Sequence, residues 1–184
     1  MRIELETVKQ NNPTARFYID RHYTSPRNFI GKNLTYLIKV DNAVCGVIVG
    51  GSTSFTLTGR NEFFGSDCDI QSIINNRLFR LESDIKNLGT QVLKVWRNKV
   101  VVDWKEKYGD NPIGFETLVR PPLTGSVYKA DNWELVGMTK GFTAKTNWTK
   151  KTRIWIPTDK RLVFMKRVKL PKFAFLVMAW FRSQ

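Results

Sequence analysis

The stretch that most restricts this chain lies at its middle. Over 87–108 apolar residues return every three or four positions, through Leu88, Val92, Val95 or Trp96, Lys99 or Val100, and Trp104. Gly109-Asp110-Asn111-Pro112 stops the run. The pattern predicts one long amphipathic helix, whose apolar stripe must be buried against another layer. Strand-like segments stand on both sides of it. Residues 2–8 alternate, 34–40 and 43–50 form a hairpin pattern around Asp41-Asn42, and 73–81 carries Asn75-Asn76-Arg77. Later come strands over 113–119, 133–139, 153–156 and 162–168, with a helix over 15–22 behind Asn12-Pro13-Thr14 and a helical turn over 126–132. Residues 50–61 read as a loop bounded by glycines. This succession of strands interrupted by helices predicts an α/β fold, a single mixed sheet with flanking helices.

Charge divides the chain in two. Of 30 basic and 16 acidic residues, 12 basic and one acidic (Asp159) fall in residues 140–184, so the net charge of +14 belongs mostly to the last quarter. The expected organisation is a nearly neutral catalytic body over 1–139 and basic C-terminal strands and tail over 140–184 that complete the sheet and contact a polyanion. Cys45 sits in an apolar run and Cys68 between two aspartates, which predicts unpaired thiols in a reducing, cytoplasmic setting. The N-terminal residues alternate and are acidic, unlike a signal peptide. The apolar stretch 173–181 is too short for a membrane span, which takes about 20 residues as helix. No membrane partner is expected. One histidine and no Cys pair at ligand spacing argue against structural zinc, and serine-hydrolase elbows and Walker loops are missing from the sequence.

Four places could carry chemistry. Lys86, Asn87, Leu88, Gly89 and Thr90 open the long helix, where free N–H groups and the helix dipole suit an anion, although Asn87 or Thr90 could serve only as a cap. His22, in Arg21-His22-Tyr23, is the one side chain whose ordinary pKa suits proton transfer near neutrality. In the segment 125–141, Tyr128 and Asn132 stand four apart on a predicted helical turn, while Tyr128 and Trp133 could equally be core aromatics. The basic quarter interleaves Lys140, Lys145, Lys150, Lys151, Arg153, Lys160 and Arg161 with Trp148, Trp155 and Phe164, cations for phosphates beside rings that can stack on bases.

A series of motifs stands in one order: Ile74-Asn75-Asn76-Arg77, then Asn87-Leu88-Gly89-Thr90-Gln91-Val92-Leu93, then Phe115-Glu116-Thr117. Gly125-x-x-Tyr128-x-Ala130-x-Asn132-Trp133-x-x-x-Gly137-x-Thr139-x-Gly141 follows. This series resembles two related groups, phage Mom-type DNA modification proteins and the DruA-type domain of Druantia anti-phage systems. His22-Tyr23 is similar to a His-Tyr pair near their start. The resemblance implies the acyl-CoA N-acyltransferase (GNAT) fold, with the coenzyme A pyrophosphate at Lys86–Thr90 and Tyr128 protonating the leaving thiolate. The Mom-type resemblance further implies conversion of adenine in double- or single-stranded DNA to a carbamoylmethyl derivative from acetyl-CoA, protecting the DNA from restriction, with iron as a further cofactor. His22 or Glu116 would then act as base or metal ligand, and Asn132 would orient a substrate group. A non-catalytic DNA-binding or defence module of DruA type, or an ordinary N-acetyltransferase, are the alternatives on the same fold.

Overall fold

The computed structural model describes residues 1–23, 28–147 and 152–168, and the side chains of these apart from 143–147 and 152–154. Three antiparallel strands open the sheet: β1 (Ile3–Val8), β2 (Asn33–Val40) and β3 (Ala43–Ser52). The β2–β3 turn takes positive φ at Asp41 (47°) and Asn42 (71°), a conformation that short polar side chains tolerate far better than other non-glycine residues. β4 (Ile73–Leu81) pairs antiparallel with β3, the long helix α3 (Leu88–Tyr108) crosses over, and β5 (Gly114–Val119) returns parallel to β4. β9 (Leu162–Arg167) then lies between β5 and the edge strand β6 (Glu134–Met138), giving the order β1-β2-β3-β4-β5-β9-β6. The mixed α/β sheet expected from the sequence is the observed one. Between β6 and β9 the chain leaves the sheet as a separate ribbon, β7 (Phe142–Asn147) against β8 (Thr152–Pro157).

Two layers cover the sheet. On one face lies α1 (Pro13–Asp20), capped by the Asn12 side chain, which accepts from the Ala15 N–H at 3.1 Å. Its Ala15, Tyr18 and Ile19 pack on Leu37, Val47, Val49 and Leu78. On the other face α3 buries Val92, Trp96, Val100 and Trp104 against Tyr36, Ile38, Ile48, Ile74 and Phe115. Burying each such side chain contributes roughly 1.5–3 kcal/mol, so this face anchors the fold. Gly50 permits the close approach: a Cβ there would lie 3.1 Å from Trp96 and 3.2 Å from Ile74.

Three short elements depart from the sequence reading. α2 (Arg60–Phe64) occupies part of the interval read as loop, a single 3₁₀ turn (Ile70–Ser72) precedes β4, and β7 pairs with β8. A five-residue helix has little room for a hydrophobic period; α2 is held by burial of Arg60 and contacts to β9. Among the described residues no helix is long and apolar enough to cross a membrane.

Candidate active site at the opening of the sheet

β4 and β5 pair over four residues only, Ile73–Asn76 against Gly114–Thr117, and then part. Just there β4 carries a bulge: Asn76 faces Gly50 and Leu78 faces Val49, leaving Arg77 as the extra residue. Arg77 fastens the bulge by donating to the Ser52 carbonyl from Nε (3.0 Å) and Nη2 (2.6 Å), and to the Ile30 carbonyl from Nη1 (2.8 Å). The parted strands open a cavity of about 340 Å³. Its walls are His22 and Tyr23 beyond α1, residues 76–79 of β4, 117–119 of β5, and 122–128 leading into α4 (Ser126–Ala130).

Tyr128 reaches the vertex of this opening. Its hydroxyl donates to Asn76 Oδ1 at 2.6 Å, while Thr117 Oγ1 donates to the Asn76 carbonyl at 2.9 Å. Burial pushes the Tyr128 phenol above its ordinary range, so at neutral pH it keeps its proton. The ring is held edge-on to Trp133 at 5.1 Å and stacked on Phe164 at 5.9 Å. Gly125 makes the approach possible, since it has φ +69° and a Cβ there would lie 2.4 Å from Phe164. Tyr128 is thus both a core aromatic and a cavity residue.

His22 lines the cavity beside Tyr23, the two rings 4.2 Å apart. Burial first, and then the Arg80 guanidinium, lower its pKa to about 4. The imidazole is therefore neutral near pH 7, an acceptor or donor of one hydrogen bond rather than a cation.

Two expected site residues sit elsewhere. Glu116 is fully buried on the opposite face of the sheet, paired with Arg60 (Nε to Oε2 3.0 Å, Nη2 to Oε1 3.1 Å). It also accepts from Asn75 Nδ2 at 2.9 Å and from the Thr53 hydroxyl. Burial raises its pKa against the pull of Arg60 and Asn75. Strand alternation explains the placement, because Phe115 and Thr117 face α3 and α4 while Glu116 points away. Asn132 does not share a helical face with Tyr128: α4 ends at Ala130, and Asn132 is an exposed turn residue at φ +56°. The neighbouring Asp131 does the anchoring, gripping Arg97 through two bonds of 2.7 and 2.8 Å and accepting from Trp133 Nε1 at 2.8 Å.

The start of α3 lies beside two cavity residues, Val127 and Phe79. Leu88 is buried in the core, Gly89 and Thr90 are half-buried, and Lys86 and Asn87 are exposed. Asn87 is the N-cap residue at φ +62°, but its side chain makes no capping bond and the first turn carries no acidic residue. A Cβ on Gly89 would lie 2.8 Å from Val127 and 3.9 Å from Phe79, both cavity residues. The N–H groups of Gly89 and Thr90, the helix dipole and Lys86 have the chemistry to hold an anion such as a pyrophosphate, while Val127 occupies the space beside Gly89. No comparable fit exists for iron. Among the described residues no three His, Cys, Asp or Glu side chains gather around a common point, and Glu116 is enclosed by its partners.

The basic quarter is only partly in view. Lys140 and Lys160 are exposed and Arg161 is half-buried where the ribbon joins the body, with Thr139 N–H donating to the Arg161 carbonyl at 2.8 Å. Lys145 and Arg153 lie on β7 and β8 by backbone, and Trp155 on β8 is 60% exposed. Lys150 and Lys151 fall outside the described residues.

The sequence matches the family model described as Druantia protein DruA over residues 1–147. The chain belongs to the DruA family. A search of curated proteins finds no match. Solved structures place this DruA-family chain in the GNAT fold. The ribosomal-protein-S18-alanine N-acetyltransferase of Escherichia coli superposes with a TM-score of 0.56 at 6% identity, covering 92% of this chain and 96% of that one. A Bacillus subtilis acetyltransferase in complex with CoA gives 0.55 at 8%, covering 91% and 100%. A GNAT family acetyltransferase from Elizabethkingia anophelis with acetyl-CoA bound gives 0.54 at 13%, covering 90% and 98%. The residues that sequence reasoning missed are Asn76 and Thr117, which hold the vertex with Tyr128. The signals for them were the polar run Asn75-Asn76-Arg77 in the middle of a strand and the motif Phe115-Glu116-Thr117, neither of which singles out the residue that faces Tyr128.

Proposed function

We infer that this DruA-family chain is an acyl-CoA-dependent transferase working at the opening between β4 and β5. The observation that carries the reading is the Tyr128 hydroxyl, proton retained and positioned by Asn76, in a cavity whose Phe79 and Val127 lie beside the uncapped start of α3. Backbone N–H groups of Gly89 and Thr90, with Lys86, would hold the pyrophosphate of coenzyme A. Acyl-CoA, when bound, supplies an acyl carbon whose bond to sulfur breaks as an acceptor nitrogen bonds to it, with one proton leaving nitrogen and one reaching sulfur. Tyr128 holds the proton suited to the leaving sulfur, and the neutral imidazole of His22 can take the proton released by nitrogen.

The acceptor we assign to this site is an adenine amine in DNA, the base that Mom-type proteins modify, which the transfer written above would acylate on nitrogen, with the ribbon and the basic quarter gripping the phosphates. Supporting this are the net charge of residues 140–184 and the exposed Trp155 on β8. A base must leave the stack, or already be single-stranded, before its amine can enter such a cavity. One observation favours a binding module without transfer: the space beside Gly89 is filled by Val127. Calorimetry of acetyl-CoA with the full chain, followed by nucleoside mass spectrometry of DNA incubated with both, tests the reading. Binding together with an acylated adenine, lost in Tyr128→Phe, is the expected result. No heat with acetyl-CoA refutes transfer in favour of the binding module. Transfer to protein or small amines, with DNA unmodified, refutes the DNA acceptor.

A further inference from the structure

Among the described residues no carboxylate lines the cavity. All 16 Asp and Glu residues of the chain fall among the described residues, and none lines it. Those close by are committed elsewhere: Glu116 to Arg60 across the sheet, Glu82 to Arg80, and Asp131 to Arg97. What lines the cavity instead is neutral or positive. Asn76, Thr117 and Tyr128 supply an amide and hydroxyls, and His22 is uncharged near pH 7. Arg77 is held by the Ser52 and Ile30 carbonyls rather than by a carboxylate. An alkylammonium entering here would surrender water and meet no counter-charge. With a pKa near 10, only about one in a thousand such groups is free amine at pH 7. An aromatic amine is already neutral and planar, and it can lie against the paired rings of His22 and Tyr23.

We propose that the cavity selects its acceptor by charge, taking an uncharged aromatic or nucleobase-type amine and rejecting alkylammonium groups such as lysine side chains. For its chemistry this rests on the transferase reading above, but the selection itself is a property of binding and is read without turnover. A carboxylate placed at the rim should reverse it. Leu123 lines the cavity and is 53% exposed, so Leu123→Glu adds that charge without disturbing the core.

The protein has a single histidine, so its imidazole resonance in the full chain reports occupancy of the cavity directly. Titration with 9-methyladenine at pH 7.5 is expected to shift the His22 signal saturably. Hexylammonium should bind at least tenfold more weakly, and Leu123→Glu should narrow that gap at least tenfold. Equal or tighter binding of hexylammonium to the wild type, no response to either amine, or no gain in Leu123→Glu overturns the proposal. Calorimetry with acetyl-CoA runs in parallel. Absent heat with the amine selectivity intact refutes the transferase reading alone, and acetyl-CoA binding with reversed selectivity refutes charge selection alone.

Discussion

Replacing Glu116 by alanine tests whether this carboxylate holds the fold or takes part in chemistry. It accepts from two nitrogens of Arg60, from Asn75 and from Thr53, and the ion-pair side chains are 2% (Arg60) and 0% (Glu116) exposed. Removing it leaves a buried guanidinium with the Ser54 and Phe55 carbonyls and the Thr53 hydroxyl but no counter-charge, and leaves the Asn75 amide without that acceptor. Breaking one side of such a pair costs about 3–5 kcal/mol. Against a total stability of about 5–15 kcal/mol, that is a large share. For a chain of this size each kcal/mol moves Tm by about 2–4 °C, so a fall of roughly 6–20 °C is expected. Thermal melts and urea unfolding measure it. The double variant Arg60→Met/Glu116→Leu should recover most of the loss, because an apolar pair asks for no desolvated charge. A Glu116→Ala protein melting within about 2 °C of wild type, or one that keeps its stability but loses activity, would refute a structural role for Glu116.

Three further outcomes are expected. Tyr128→Phe keeps the ring packing but strands Asn76 Oδ1, so it should lose about 1–3 kcal/mol of stability. Its acyl transfer should fall about 10²–10⁴-fold, and turnover within twofold of wild type would remove the acid role from Tyr128. For His22 the folded pKa of about 4 lies below the ordinary 6.5, so between these values the unfolded chain binds more protons. Its contribution is therefore fully present above about pH 6.5 and is lost as pH falls through about 4, and His22→Gln should flatten that part of a Tm-against-pH curve. Replacing 142–157 by a short glycine turn removes a ribbon whose strands pair only with each other. The body should melt as before, while DNA affinity and the slope of its salt dependence, measured by fluorescence anisotropy, should both fall.

Much of the architecture was legible locally. The period of α3, the Asp41-Asn42 turn and the Asn12-Pro13 start of α1 are short-range patterns, and each produced the element it predicted, within a few residues. Tyr128 was legible as a cavity residue only beside its family-like block. The same block misled at Asn132, since a helical i, i+4 argument fails once the helix ends two residues earlier. Glu116 misled for a different reason: alternation tells that neighbours face opposite sides, not which side holds the site.

The sequence by itself determined the order of the longer elements, the mixed sheet, the unpaired thiols and the concentration of charge in the last quarter, because periodicity, turn chemistry and composition act over a few residues. Only the tertiary structure decided that β4 and β5 part after Asn76 and Thr117, that Asn76 receives the Tyr128 hydroxyl, and that Arg60 claims Glu116. Those contacts join residues 52 and 56 positions apart. Their partners are chosen by packing and by the need to satisfy buried polar groups, which no local pattern encodes.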